Sequence, residues 1–164
     1  MKIMIFGDTA SGKSTFAEAL AITKSLPVTH LDLIMDKVGR NERQSIGDLI
    51  KIEASKEDWI IEGKAFTKDR SYRIEQSDVI YVFDFNRFIT LAHHIKRYMK
   101  LRKGKEMRKG SENTNLNLRY FIPYILIKFP PRKKAALSIA REQSKKVIIF
   151  RTYSDVNNYL KAMR

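Results

Sequence analysis

Lys2-Ile3-Met4-Ile5-Phe6-Gly7-Asp8-Thr9-Ala10-Ser11-Gly12-Lys13-Ser14 is the stretch that decides the fold. It opens as a short apolar run of strand type and closes on G-x-x-x-x-G-K-[ST], the Walker A pattern. Residues 14–24, rich in Ala, Glu, Leu and Lys, read as a helix. A strand, a glycine turn and a helix N-terminus in this order make a phosphate cradle. Gly7 and Gly12 allow backbone conformations that a side chain obstructs, so successive N–H groups can point at phosphate oxygens. Asp8, Thr9, Ala10 and Ser11 complete the loop. Lys13 is placed to reach β- and γ-phosphates and Ser14 to hold Mg²⁺. Thr15 either touches the α-phosphate or simply starts the helix. Mg·ATP is the expected cofactor.

Further along the chain, short apolar runs alternate with helical patterns. Val28, Thr29, His30 and Leu31 read as a second strand closing on Asp32, followed by a polar stretch to about residue 44. Ile46, Leu49 and Ile50 mark a helix over 45–55. Trp59-Ile60-Ile61 and the run 79–83 are near-continuous apolar strands, the kind covered on both faces in parallel sheets. A helix is expected over 87–102, then a polar, basic stretch over 103–117 that reads as a lid. The apolar segment 118–129 should be broken by Pro123 and by Pro130-Pro131. A helix over 132–145, a strand over 147–150 and a C-terminal helix capped by Ser154 follow. The pattern predicts an α/β protein, a three-layer α/β/α sandwich on a five-stranded parallel sheet, in one domain spanning residues 1–164. Ligands in such sheets bind beyond the carboxyl ends of the strands. The phosphate loop, Asp32, Glu62-Gly63, Asp84 and Arg151-Thr152 should therefore converge on one cleft.

The chain has 164 residues, 43% of them hydrophobic, and contains no cysteine, which excludes disulfides and thiolate metal sites. Its three histidines lack ligand-like spacing. The opening apolar run is too short for a leader and Asp8 interrupts it, so a soluble cytoplasmic protein with no membrane partner is expected. The formal net charge of +14 is unevenly placed: between Arg87 and Lys146, 17 basic residues stand against 3 acidic ones. Such a block faces an anion, whether nucleotide phosphate, nucleic acid or acidic lipid.

Several stretches in order carry a family resemblance: the opening K-I-M-I-F-G-D-T-A-S-G-K-S-T, H-L-D at 30–32, W-I-I-E-G at 59–63 and V-I-Y-V-F-D-F at 79–85. I-K-R at 95–97, F-P-P-R at 129–132 and V-I-I-F-R at 147–151 follow. Over nearly its whole length the chain resembles the adenylate-kinase-like P-loop kinases, and more narrowly a bacterial group labelled DNA topology modulation protein. The resemblance implies the P-loop nucleoside-triphosphate hydrolase fold with strand order 2-3-1-4-5. It also implies an acceptor-binding region over about 32–58 and a basic lid over about 97–117. ATP would be the donor, with phosphoryl transfer to a small acceptor such as a nucleotide or nucleoside. An arginine near the lid base contacts the transferred phosphate in such kinases, and Arg97 is its positional match. Four residues earlier, where another arginine is common, this chain has His93.

The candidate residues follow. Lys13 and Arg97 would stabilise the transferring phosphoryl group, with Arg102 as a second bidentate clamp. Asp32 would address the acceptor. Ser14 and Asp84 are the metal candidates, although a strand-ending Asp also makes turns. Arg151 joins the phosphate loop in nucleotide binding. Arg87, Arg108 and Arg132 are weaker anion candidates. The aromatic residues Tyr120, Phe121, Tyr124 and Phe129 read as helix packing. Two functions stand at this point: a Mg·ATP-dependent small-molecule or nucleotide kinase, and an ATP-responsive nucleic-acid-binding protein using residues 87–146.

Overall fold

Strand β1 (Lys2–Gly7) alternates its side chains between two apolar layers, and every one from Ile3 to Phe6 is buried. Met4 and Phe6 face one core and Ile3 and Ile5 the other. Such a strand has to lie inside a sheet covered on both sides. The computed structural model describes residues 1–7, 10–38, 42–63, 67–102 and 118–163. After β1 come α1 (Lys13–Lys24), β2 (Val28–His30), α2 (Leu31–Val38), α3 (Arg43–Ser55), β3 (Trp59–Glu62), α4 (Thr67–Gln76) and β4 (Val79–Phe83). Then follow α5 (Arg87–Arg102), α6 (Leu118–Pro123), a π-helical segment Tyr124–Lys128, α7 (Phe129–Glu142), β5 (Lys146–Phe150) and α8 (Tyr153–Ala162).

The five strands form one parallel sheet in the order β2-β3-β1-β4-β5, with helices on both faces. On one side α2, α3, α4 and α7 cover Met4, Phe6, Ile61, Ile80 and Val82. On the other, α1 and α8 cover Ile3, Ile5, Tyr81, Phe83 and Phe150. Phe16 is the centre of that second layer. Its ring meets Tyr81, Phe83 and Phe150 edge-on at 5.1, 5.5 and 5.3 Å between centroids. Helix α1 is thus fixed to β4 and β5 one turn below its N-terminus.

Some expectations need correction. β2 ends at His30, and Leu31 already begins α2, so Asp32 lies in the first turn of a helix rather than at a strand end. Leu31 and Met35 are buried one helical turn apart, with Ile34 and Val38 packed beside them, and this apolar stripe makes part of the expected polar stretch helical. Helix α4 carries so little apolar periodicity that the sequence does not announce it. Among its described side chains Arg70, Arg73 and Ile74 are buried.

The prolines do not break the segment after residue 118. Pro130 and Pro131 occupy the first turn of α7, where a missing N–H costs nothing within that helix. The carbonyls before them lose their α-helical donors. The chain widens into a π-turn in which the Phe129 N–H reaches the Tyr124 carbonyl, and Arg87 Nη1 donates to the Leu126 carbonyl at 3.4 Å. Of the aromatic residues expected to pack, Tyr124 and Phe129 are buried, whereas Tyr120 is exposed. The cap of α8 is Thr152 and not Ser154. Its hydroxyl accepts from the Asp155 N–H at 3.1 Å, and the Asp155 carboxylate accepts from the Thr152 N–H at 2.9 Å.

Truncating Phe16 to Ala should cost about 3–5 kcal/mol of unfolding free energy. Ile22→Ala, on the exposed face of the same helix, should stay within about 0.5 kcal/mol. Urea unfolding of both variants checks the contrast.

Candidate functional site

Gly7 is where β1 turns into the phosphate loop, and no other residue fits there. Its φ is +150°, and a Cβ would lie 2.4 Å from the Phe83 carbonyl oxygen and 2.6 Å from the Phe83 Cβ. β1 and β4 are in register there, Gly7 opposite Phe83, so the loop leaves the sheet against the backbone of β4. Ala10 at φ +54° and Gly12 at φ +84° complete the reversal, and α1 starts at Lys13. Asp8 and Thr9 lie outside the described residues. Ser11 and Lys13 are buried, with Lys13 Nζ donating to Ser11 Oγ at 3.4 Å. A glycine-lined turn, a buried lysine and the first N–H groups of a helix suit the triphosphate of ATP.

The buried carboxylate beside this loop is Glu62. It ends β3, in register with Ile5 of β1 and His30 of β2, and is 2% exposed. One oxygen, Oε2, accepts from Ser14 Oγ at 3.0 Å and lies 3.0 Å from His30 Nδ1. His30 Nε2 is 4.0 Å from Glu18 Oε1 on α1. The sequence places Glu62-Gly63 among the cleft residues and gives His30 no role there. The side chains instead form one polar row from α1 through β3 to β2. Gly63, at φ +127°, does sit at a close approach: a Cβ there would be 3.1 Å from the Leu31 Cβ and 3.7 Å from the Asp32 N. Asp32 therefore starts α2 next to the end of β3.

Asp84 follows β4 and pairs with Lys133 of α7, Oδ1 to Nζ 2.5 Å, while that ammonium lies 5.7 Å from the centre of the Phe129 ring. Ser14, the other metal candidate, contacts Glu62. Among the described residues there is no group of three or more His, Asp or Glu side chains set to hold a metal alone. Mg²⁺ keeps several waters and binds with one or two protein oxygens plus substrate phosphates. Ser14 Oγ and the Glu62 carboxylate, both oxygen donors beside the cradle, fit that requirement.

Tyr153 ties the far side of the loop down. Its hydroxyl donates to the Ala10 carbonyl at 2.9 Å and lies 3.2 Å from His93 Nδ1. With the phenolic proton on Ala10, the same oxygen is left to accept from a protonated His93 Nδ1. The His93 ring stacks on Tyr153 at 4.9 Å, and Phe85 meets it edge-on at 4.6 Å. Burial pushes the Tyr153 phenol above its ordinary pKa, which keeps the donor protonated. The position of Tyr153, first in a helix and directly after Arg151-Thr152, gave no signal of this role. His93 thus reaches the loop through Tyr153, at the place where the resemblance leads one to expect an arginine.

Thr15 and Arg151 are exposed near the same loop, and the Arg151 N–H donates to Asp155 Oδ2 at 2.8 Å. Arg97 is half-buried on α5, and His94 is buried with the Phe121 ring 4.4 Å away. The side chain of Arg102, the stretch 103–117 and Arg108 within it lie outside the described residues. No helix among the described residues is long and apolar enough to cross a membrane.

Solved structures share this architecture. A shikimate kinase from Bacteroides thetaiotaomicron superposes with a TM-score of 0.62 at 16% identity, over 99% of this chain and 96% of that one. The fold is that of the P-loop kinases. A shikimate kinase from Aquifex aeolicus gives 0.59 at 12% identity over 99% and 93% of the two chains. A gluconokinase from Sinorhizobium meliloti gives 0.54 at 13% identity over 99% and 88%. No protein-family model matches the chain, and no curated protein sequence matches it. At such identities the likeness is one of fold, and the P-loop kinase fold locates the cleft without naming its substrate.

The two loop glycines should differ on replacement. Gly7→Ala forces β1 from β4 and should cost at least about 2 kcal/mol. At Gly12 a Cβ meets nothing nearer than Tyr153 Cε1 at 3.7 Å, so only its positive φ opposes alanine. About 1 kcal/mol is expected there. Urea titration of the two variants reads the difference.

Proposed function

We propose that the chain is a Mg·ATP-dependent phosphotransferase that moves the γ-phosphoryl group to a small acceptor. The observation that carries the reading is the joint placement of the glycine turn, buried Lys13, and Ser14 in contact with buried Glu62. The P-loop kinase fold supports it, and so do the activities of its structural neighbours, shikimate kinases and a gluconokinase. Those acceptors belong to the neighbours. The finer kinship with the DNA topology modulation group is part of the same proposal and adds no reaction to it, since that label describes a phenotype.

Lys13 and the loop N–H groups would hold the β- and γ-phosphates and offset charge that develops as the phosphoryl group moves. Mg²⁺, when bound, neutralises phosphate charge and orients the terminal phosphate. We assign its protein contacts to Ser14 and Glu62. Asp84, the other candidate, is already matched by Lys133 at 2.5 Å, so its carboxylate would have to exchange one cation for another. His30 holds Glu62 from the β2 side and fixes which oxygen faces Ser14. Asp32, at the start of α2, is proposed to orient the acceptor hydroxyl. Arg97 is proposed to touch the transferring phosphate, with Arg102 and Arg151 as further phosphate contacts.

A ligand that binds only the folded state adds RT ln(1 + [L]/Kd), about 2.7 kcal/mol at a hundred times Kd. Mg·ATP should therefore raise the melting temperature of the wild type, and Lys13→Ala should abolish most of the rise. Glu62→Gln should keep the rise given by ATP alone and lose the increment added by Mg²⁺. Differential scanning fluorimetry with ATP, with and without Mg²⁺, measures all three. An equal Mg·ATP shift in wild type and Lys13→Ala contradicts the proposal.

A further inference from the structure

We propose that the protein docks on an anionic membrane surface through the outer face of α5, which lies against the lipid headgroups without crossing them. Phe88, Ala92, Ile95 and Met99 recur at the spacing of one helical face. That face looks away from the protein. Phe88 is 62% exposed and Met99 52%, Ala92 is exposed and Ile95 half-buried. Among the described side chains of α5 the buried ones are polar instead: Thr90 and His94 are 2% and 1% exposed. A surface helix ordinarily has the reverse arrangement, with its apolar stripe turned inward. At the start of the stripe the Arg87 guanidinium lies over the Phe88 ring, Cζ 5.3 Å from its centroid, and donates to the Leu126 carbonyl. Ile127, next in the π-helical segment, is 70% exposed and adds an apolar side chain to this end of the face.

What covers such a face follows from charge and shape. Helix α5 carries Arg87, Lys96, Arg97, Lys100 and Arg102 and no acidic residue. Lys96 and Lys100, both exposed, each follow a stripe residue by one position and so run along one edge of it. Arg87 and the exposed Lys128 stand at its start. A second copy docked face to face would set two such helices together, like charge against like charge. Nucleic acid would match the lysines and leave the phenylalanine, methionine and isoleucine side chains in water. A peptide partner needs a groove, and side chains more than half exposed make a ridge. Anionic lipid answers both features, since its headgroups attract lysine and arginine and the acyl boundary takes up the apolar side chains. Exposed apolar patches with a polar rim mark such surfaces. The expectation of no membrane partner rests on spanning length, which an interfacial helix does not need. The stripe uses none of the residues assigned to phosphoryl transfer, so the proposal is independent of that reading.

Cosedimentation of the full-length protein with lipid vesicles tests the proposal. Vesicles of equal parts phosphatidylglycerol and phosphatidylcholine should bind it, and vesicles of phosphatidylcholine alone should not. Phe88→Ser combined with Met99→Ser should weaken binding tenfold or more, and so should Lys96→Gln combined with Lys100→Gln. All four positions are exposed, so both proteins should fold, which melting temperatures equal to that of the wild type check. Ile22→Ser, which removes an exposed apolar side chain from α1, should leave affinity within twofold. Fluorescence of a Phe88→Trp variant gives a direct readout. The one native tryptophan, Trp59, is buried, so a blue shift on adding anionic vesicles reports position 88 entering lipid. No binding to anionic vesicles, equal binding to neutral ones, an unshifted spectrum, or unchanged affinity in the Phe88→Ser/Met99→Ser protein overturns the proposal. Binding of duplex DNA or RNA in place of vesicles, lost with the two lysines and kept without Phe88 and Met99, overturns it as well and assigns the charge to nucleic acid. Dimerisation without vesicle binding, abolished by Phe88→Ser/Met99→Ser, overturns it in favour of a second copy.

Discussion

The backbone of β4 passes so close to the end of β1 that position 7 has no room for a side chain. A methyl group there would be 2.4 Å from the Phe83 carbonyl oxygen. That contact sets where the phosphate loop leaves the sheet, and much of the site follows from it. The loop can only rise between β3 and β4, which brings Ser14 against Glu62 on one side. On the other side, Tyr153 from the first turn of α8 holds the Ala10 carbonyl. Phe16 fixes α1 from below through three strand aromatics. Each anchor is modest alone. Together they fix Gly7, Ala10 and Ser14 in place, and a preorganised phosphate site requires such fixed points.

Glu62 is the second organising element. A carboxylate this buried needs partners, and Ser14 and His30 share one of its oxygens. Helix α1 and strand β2 thereby meet at one atom of β3. On the proposed function, Glu62 links the nucleotide contacts to the proposed acceptor region through α2 and Asp32, which follow directly after His30. Arg70 lies over Phe6 on the face of the sheet that α2, α4 and α7 cover together.

The fold was largely legible because its signals are local. A glycine turn between strand and helix, and apolar runs without alternation, are written in consecutive residues. Strand order came from the resemblance and matches the sheet. The site was legible only where it shares that locality, in the loop from Gly7 to Ser14. Glu62 was expected in the cleft as a strand-end residue, but the role of its carboxylate was not, because its partners lie 48 and 32 residues away. Tyr153 reaches Ala10 across 143 residues. Arg70 sits on a helix whose polar composition conceals its burial. The prolines after residue 122 misled for a physical reason: the expected break is relieved by a π-turn and by Arg87 on a freed carbonyl.

A crystal structure of the protein with Mg²⁺ and a non-hydrolysable ATP analogue tests the central claim most directly. The account predicts the β- and γ-phosphates inside the loop from Gly7 to Ser14, with Lys13 Nζ against them. It predicts the metal beside Ser14 Oγ, with the Glu62 carboxylate bound to it directly or through water. Phosphates seated elsewhere, or a metal that touches neither Ser14 nor Glu62, would contradict it.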